Sequence, residues 1–189
     1  MNPIRNPVFE EEVNKVKSIE GDYSDDPKDS GKKTRFGITE QTARAHGYTG
    51  AMKDLPWEKA KEIYYVQWWC LLNLDAIAVV SRRVAAEVFD TAVNCGQGIA
   101  SKFLQRSLNV LNREERDYPD IRVDGLVGPL TVHSLKLYMQ RRGRDDGERV
   151  LLRALNALQG ARYIEIAEAR KKDEKYTFGW FAQRVVMED

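Results

Sequence analysis

Phe9, Val13, Val16 and Glu20 stand at i, i+4, i+7 and i+11, so the apolar stripe of a first helix runs directly into a carboxylate. This stripe constrains the chain more than any other single feature. A helix here must bury Phe9, Val13 and Val16, and Glu20 then lies at the edge of the buried face. A carboxyl in that position has its charged form disfavoured, which raises its pKa and lets it donate a proton near neutrality. The plainer alternative is a last-turn surface glutamate, or one paired with Lys17. Gly21 is a helix stop. The stretch after Glu20, GDYSDDPKDSGKKTRFGIT, is rich in Gly, Asp, Ser and Pro. It predicts a loop with a small hairpin around Thr34–Ile38.

Helical spacing returns after the hairpin. Thr39 can cap a short helix ending near Gly47, and Asp54 with Pro56 opens another whose inner face is Trp57, Ala60, Ile63, Tyr64 and Trp68. Ser81 can cap the next helix, where Val84, Ala85, Val88, Phe89, Ala92 and Val93 keep the period up to Cys95 and Gly96. Ile99, Phe103, Leu104, Leu108 and Leu111 mark a further helix. The polar run NREERDYPDIRVDGLVGP then predicts an exposed loop or short hairpin, with a second small β element near 121–127. Helices are expected from Thr131 to about Arg142, closed by Gly143, and from Glu148 to about Lys172. Leu151, Leu155, Leu158 and Ile164 are the expected buried positions of the second. Trp180, Phe181 and Val185 dock a last helix. The expected fold is mainly α, with a small β-hairpin beside the first helix.

At 189 residues the chain is one compact domain, or one with a small subdomain. Its 30 Lys and Arg balance 29 Asp and Glu, which argues against a general nucleic-acid binder. No run approaches the roughly 18 apolar residues of a membrane span, so no transmembrane segment is expected. Charges interrupt the first residues too often for a signal peptide, so cytosolic accumulation is expected. Cys70 and Cys95 sit in apolar contexts and are expected as buried thiols. His46 and His133 have no ligand-like spacing, so neither a metal nor another cofactor is expected. No heptad seam or long apolar edge is present, and a monomer is the expectation.

Five acids crowd residues 20–29: Glu20, Asp22, Asp25, Asp26 and Asp29. Aspartates in a turn-rich segment are commonly solvated loop residues. A second carboxylate nine residues beyond Glu20, on a loop that doubles back, could also face it across a groove. Glycoside hydrolysis uses such a pair, one group protonating the leaving oxygen and the other activating water or attacking the anomeric carbon.

The stretch EGDYSDDPKDSGKKTRFGIT resembles the signature of the muramidases of glycoside hydrolase family 108. Three further motifs follow in the family's order: the aromatic Tyr64-Tyr65 and Trp68-Trp69, then Phe89-Asp90-Thr91-Ala92-Val93-Asn94-Cys95-Gly96, and Val123-Asp124-Gly125-Leu126-Val127-Gly128-Pro129-Leu130-Thr131. The resemblance spans about residues 8 to 185. It implies a lysozyme-like endolysin in two parts, a catalytic half over 8–96 and a peptidoglycan-binding-like helical half over 97–187. Bacterial peptidoglycan is then the partner, and the β-1,4 bond between N-acetylmuramic acid and N-acetylglucosamine the target. Glu20 is implied as general acid, Asp29 as the carboxylate that positions or deprotonates water, and Thr34 as the hydroxyl that holds water or sugar. Asp26 rivals Asp29 for the base and is otherwise a substrate-binding residue, with Tyr23, Gly37, Ile38, Asp90 and Asn94. Asp124, Gly125, Gly128, Pro129 and Thr131 form the peptidoglycan-binding-like motif. The resemblance also implies storage in the host cytoplasm until a holin opens the route to the wall.

Departures from the family pattern fall in the loop. Asp22 replaces a glycine, Ser30 a proline, and Lys32-Lys33 a glycine and a small residue. The two lysines could neutralise the acids or meet the carboxylates of peptidoglycan stem peptides. Asp90 and Asn94, at i and i+4, read either as a polar stripe bonded to itself or as groove-lining residues. Trp68 and Trp69 read as core, or with Tyr23 as platforms for sugar rings. The Asp124–Thr131 motif could contact the wall or only buttress the cleft. Arg141, Arg142, Arg144 and Arg149 read as a solvated helix end, or as an attraction to anionic wall or phospholipid. Two other functions are open on the residues alone: a glycosidase of chitin or chitosan, and a non-catalytic wall-binding protein.

Overall fold

The structure is a computed structural model and describes residues 6–20, 23–25 and 33–185. Contacts divide the chain into two compact units, Met1–Leu71 and Leu72–Asp189.

In the first unit, α1 spans Pro7–Glu20. Asn6 caps it. Its side-chain oxygen accepts the Val8 N–H at 3.0 Å and its carbonyl accepts that of Glu10 at 3.1 Å. Pro7 occupies the first turn, where a missing N–H costs nothing. The apolar part of the expected stripe is buried, with Phe9, Val13 and Val16 at or below 3% exposure, and Val8 joins it at 5%. Strands β1 (Tyr23–Asp25), β2 (Lys33–Arg35) and β3 (Ile38–Thr39) form one antiparallel sheet in that order. Phe36 and Gly37 link β2 to β3 with φ of +50° and +72°. Two consecutive positive φ values make the mirror-image turn that suits the twist of a tight hairpin. Thr39 ends β3 and caps α2 (Glu40–Ala45), its Oγ1 accepting the Thr42 N–H at 3.2 Å.

Helix α3 (Trp57–Tyr64) continues into a π-helical turn over Tyr65–Cys70. The widened turn shifts the inner face by about one residue relative to an α-helix. Trp69 is consequently fully buried, while Trp68 is half-buried and tilts against Tyr64 at 4.9 Å between ring centroids. The same shift leaves Cys70 exposed, correcting the expectation that both thiols are buried. Phe9 meets the rings of Tyr65 and Trp69 edge-on at 5.2 and 5.4 Å, and Lys61 reaches Glu10 at 3.3 Å, so α1 packs on this segment.

The second unit holds α4 (Leu74–Val80), α5 (Arg82–Cys95), α6 (Gln97–Val110), α7 (Pro129–Arg142), α8 (Arg144–Ala169) and α9 (Glu174–Arg184). Helix α5 packs on α4, α6 and α8, and α8 on α6, α7 and α9. Ser81 caps α5 as expected, accepting the Val84 N–H at 3.0 Å, and donates to Glu148 Oε1 at 2.6 Å. No strand forms at 121–127. The Asn109 side chain takes the place of a partner strand: its amide donates to the Ile121 carbonyl at 2.7 Å and accepts the Ile121 N–H at 3.0 Å. On α8, Ile164 is 49% exposed rather than buried. The inner face runs instead through Asn156, Gln159, Gly160 and Tyr163, because Phe181 of α9 lies over Gly160, where an added Cβ would stand 3.2 Å from the ring. The fold is mainly α with a small antiparallel sheet after the first helix.

Candidate active site

The hairpin joining β2 to β3 is braced from several sides. The Tyr64 hydroxyl donates to the Phe36 carbonyl at 3.0 Å, and the Phe36 ring meets Trp57 edge-on at 5.3 Å. Arg35 lies 4.9 Å from the Phe36 ring centroid, and Lys17 of α1 lies 5.0 Å from that of Trp57. A phenylalanine at positive φ is uncommon, and such a conformation persists only where its surroundings over-determine it. The result is a rigid frame for the strand that carries Thr34.

Thr34 is half-buried, opposite Ser24 of β1 and Thr39 of β3. Tyr23 pairs with Arg35 across the sheet and is 44% exposed. Gly37 is exposed at the turn. Ile38, grouped by the resemblance with substrate-binding residues, is fully buried and supports the hairpin from beneath. Helix α1 ends on Glu20, directly ahead of β1 in the chain. The Glu20 side chain, together with Asp26 and Asp29, lies outside the described residues.

Asp90 and Asn94 have internal partners. The Asn94 amide donates to the Asp90 carbonyl at 2.7 Å and to its Oδ1 at 3.3 Å, the side-chain bond that i, i+4 spacing allows. Buried Arg184 donates to Asp90 Oδ1 at 2.5 Å, and Gln159 donates to Oδ2 at 2.9 Å. Both carboxylate oxygens are thus engaged, tying α5 to α8 and α9. Neighbouring Cys95 has its thiol pushed up to about 11 by burial, which keeps it protonated and unreactive.

The Asp124–Thr131 segment is organised by Gln105, a residue the sequence reading passed over. Gln105 is 1% exposed. Its amide nitrogen donates to Asp124 Oδ1 and the Leu126 carbonyl, both at 2.9 Å, and its oxygen accepts the Gly125 N–H at 2.9 Å. Asp124 also accepts the Leu126 N–H at 2.9 Å. These bonds, Gln105 first, hold the Asp124 carboxyl below its ordinary pKa. Gly125 has φ of +82° and approaches α6 so closely that a Cβ would lie 3.3 Å from the Gly98 carbonyl oxygen. Pro129 opens α7 after Gly128, and Thr131 is buried. The signal for Gln105 was present: with Ser101, Leu104 and Leu108 it occupies i, i+3, i+4 and i+7, a polar residue on the inner face of α6.

A helix that ends on a glutamate, followed in sequence by several aspartates and a braced hairpin, is compatible with hydrolysis of glycosidic bonds. Comparison with known families agrees. Residues 13–96 match the family model of glycosyl hydrolase 108, and residues 99–185 match that of the predicted peptidoglycan domain. The first match indicates a glycoside hydrolase, and the two together indicate that it acts on peptidoglycan. Among solved structures, SagA of Brucella abortus shares the fold, with a TM-score of 0.70 at 23% identity over 96% of this chain and 91% of that one. A search of curated proteins finds no match. Among the described residues no helix is long and apolar enough to cross a membrane, and no three His, Cys, Asp or Glu converge as a metal-ligand set.

Proposed function

We propose that the chain is an N-acetylmuramidase that hydrolyses the β-1,4 bond between N-acetylmuramic acid and N-acetylglucosamine. One observation carries the reading. Within the segment matched by glycosyl hydrolase 108, α1 ends on Glu20 ahead of the sheet whose braced β2–β3 hairpin carries Thr34. Glu20 is the general acid. In that role it donates its proton to the leaving oxygen. Asp29 is the carboxylate that activates water, with Asp26 as its rival, and Thr34 positions that water or the sugar by its hydroxyl. A base that acts through water, rather than attacking carbon itself, makes the reaction inverting. Residues 8–96 are the catalytic half and 97–187 the half that engages the wall.

Glu20→Gln keeps the shape of the side chain and removes its proton. The variant should fold with an unchanged circular dichroism spectrum and sediment with sacculi like the wild type. Its hydrolysis should fall at least about 10²-fold, the lower range for general acid catalysis. A wild-type rate would remove Glu20 from the acid role.

A further inference from the structure

Val79, Val80, Lys136, Met139, Gln140 and Arg144 line a groove of about 280 Å³ between α4 and the α7–α8 corner. Its wall is apolar, and Val79 is 83% exposed although valine gains nothing from water. Two exposed cations flank it. Of the basic run that ends α7 and opens α8, Arg142 donates to the Leu111 carbonyl at 2.9 Å, and Arg149 is bonded to Asp146 at 2.7 Å. Arg144 and Lys136 have no ion pair among the described residues. The acids around the start of α8 do not supply one: Asp146 is taken by Arg149, Glu148 accepts from Ser81 and faces Arg83 at 3.5 Å, and Asp145 is exposed in the first turn. The groove thus combines an apolar floor with two exposed cations that make no ion pair among the described residues.

The geometry points to this groove as a docking site for the acidic, alanine-bearing stem peptides of peptidoglycan. The inference rests on peptidoglycan being the substrate. Stem peptides carry free carboxylates for Lys136 and Arg144 and alanine methyls for Val79, Val80 and Met139. In intact wall the glycan strand offers hydroxyls and amides but no free carboxylate, because the lactyl carboxyl is joined to the peptide. A volume just under the roughly 300 Å³ of the smallest small-molecule sites suits a peptide end of about two residues rather than a whole stem. Held here, a stem peptide tethers the chain to cross-linked wall.

The test uses two probes: a fluorescently labelled acidic stem tetrapeptide, followed by anisotropy, and peptide-free glycan strands, followed by hydrolysis. The wild type should bind the tetrapeptide. Lys136→Glu/Arg144→Glu should weaken that binding at least tenfold, with salt weakening the wild type in the same direction. Lys136→Met/Arg144→Met, which keeps the apolar stems, should lie between them. Hydrolysis of peptide-free glycan should be the same in all three proteins. Equal tetrapeptide binding by the wild type and the Glu variant, or no binding by the wild type, overturns the proposal. Loss of glycan hydrolysis in the Glu variant also overturns it, because the site is argued to act apart from the chemistry. Failure of the wild type itself to hydrolyse glycan strikes the muramidase reading and leaves the peptide result to be judged separately.

Discussion

The β2–β3 hairpin and the Asp124–Thr131 loop were both singled out by motif, yet their polar groups are used in opposite ways. In the loop, Asp124 and the Gly125 N–H turn inward onto the single amide of Gln105, and Thr131 is buried against them. In the hairpin the described bonds brace the turn: Tyr64 holds the Phe36 carbonyl and Trp57 meets its ring. A motif whose side chains bond one another is doing the work of folding. Under the proposed function, the bonded supports of the hairpin serve to hold Thr34 in place. Asp90 falls with the loop, since Arg184 and Gln159 occupy its two oxygens.

This contrast can be broken by two substitutions. Gln105→Leu should have the larger effect on stability. It keeps the side chain's bulk but removes the bonds to Asp124, the Leu126 carbonyl and the Gly125 N–H, and leaves that N–H without its side-chain partner. At about 1 kcal/mol for each of three bonds, the loss is about 3 kcal/mol. For a chain of this size that lowers Tm by roughly 6–12 °C in a melting scan. Turnover on soluble glycan, measured below the transition, should stay near the wild-type value. A Tm within 2 °C or so of the wild type would show that the loop does not depend on Gln105.

Gly37→Ala should show the reverse. Gly37 sits at φ of +72°, and a Cβ there costs about 1–2 kcal/mol, so Tm moves less than with Gln105→Leu. Activity should fall further than stability does, because a distorted turn shifts β2 and with it Thr34. If Gly37→Ala melts early yet turns over normally, the hairpin is a structural element and the comparison with the loop collapses.

Much of this was legible before the structure. The stripe Phe9, Val13, Val16 carried α1 to Glu20, and Thr39 and Ser81 announced their helices through capping, a local interaction that a short window of sequence contains. The misreadings share a physical origin in contacts remote in sequence. Nothing near 121–127 says that Asn109 will satisfy Ile121 and make a strand unnecessary. Ile164 fits the helical period as well as Leu155 does, but Phe181 turns α8 so that Gly160 faces inward. The π-helical turn that exposes Cys70 adds one residue to a helix whose apolar spacing suits either register. In the site itself, Gly37 and Thr34 were visible from the motif. The brace from Tyr64, 28 positions away from Phe36, was not.

The central claim is the bond that is cut. Purified peptidoglycan digested to completion should yield fragments whose new reducing ends are N-acetylmuramic acid, identified by borohydride reduction and mass spectrometry of the alditols. New reducing ends of N-acetylglucosamine would contradict the muramidase assignment.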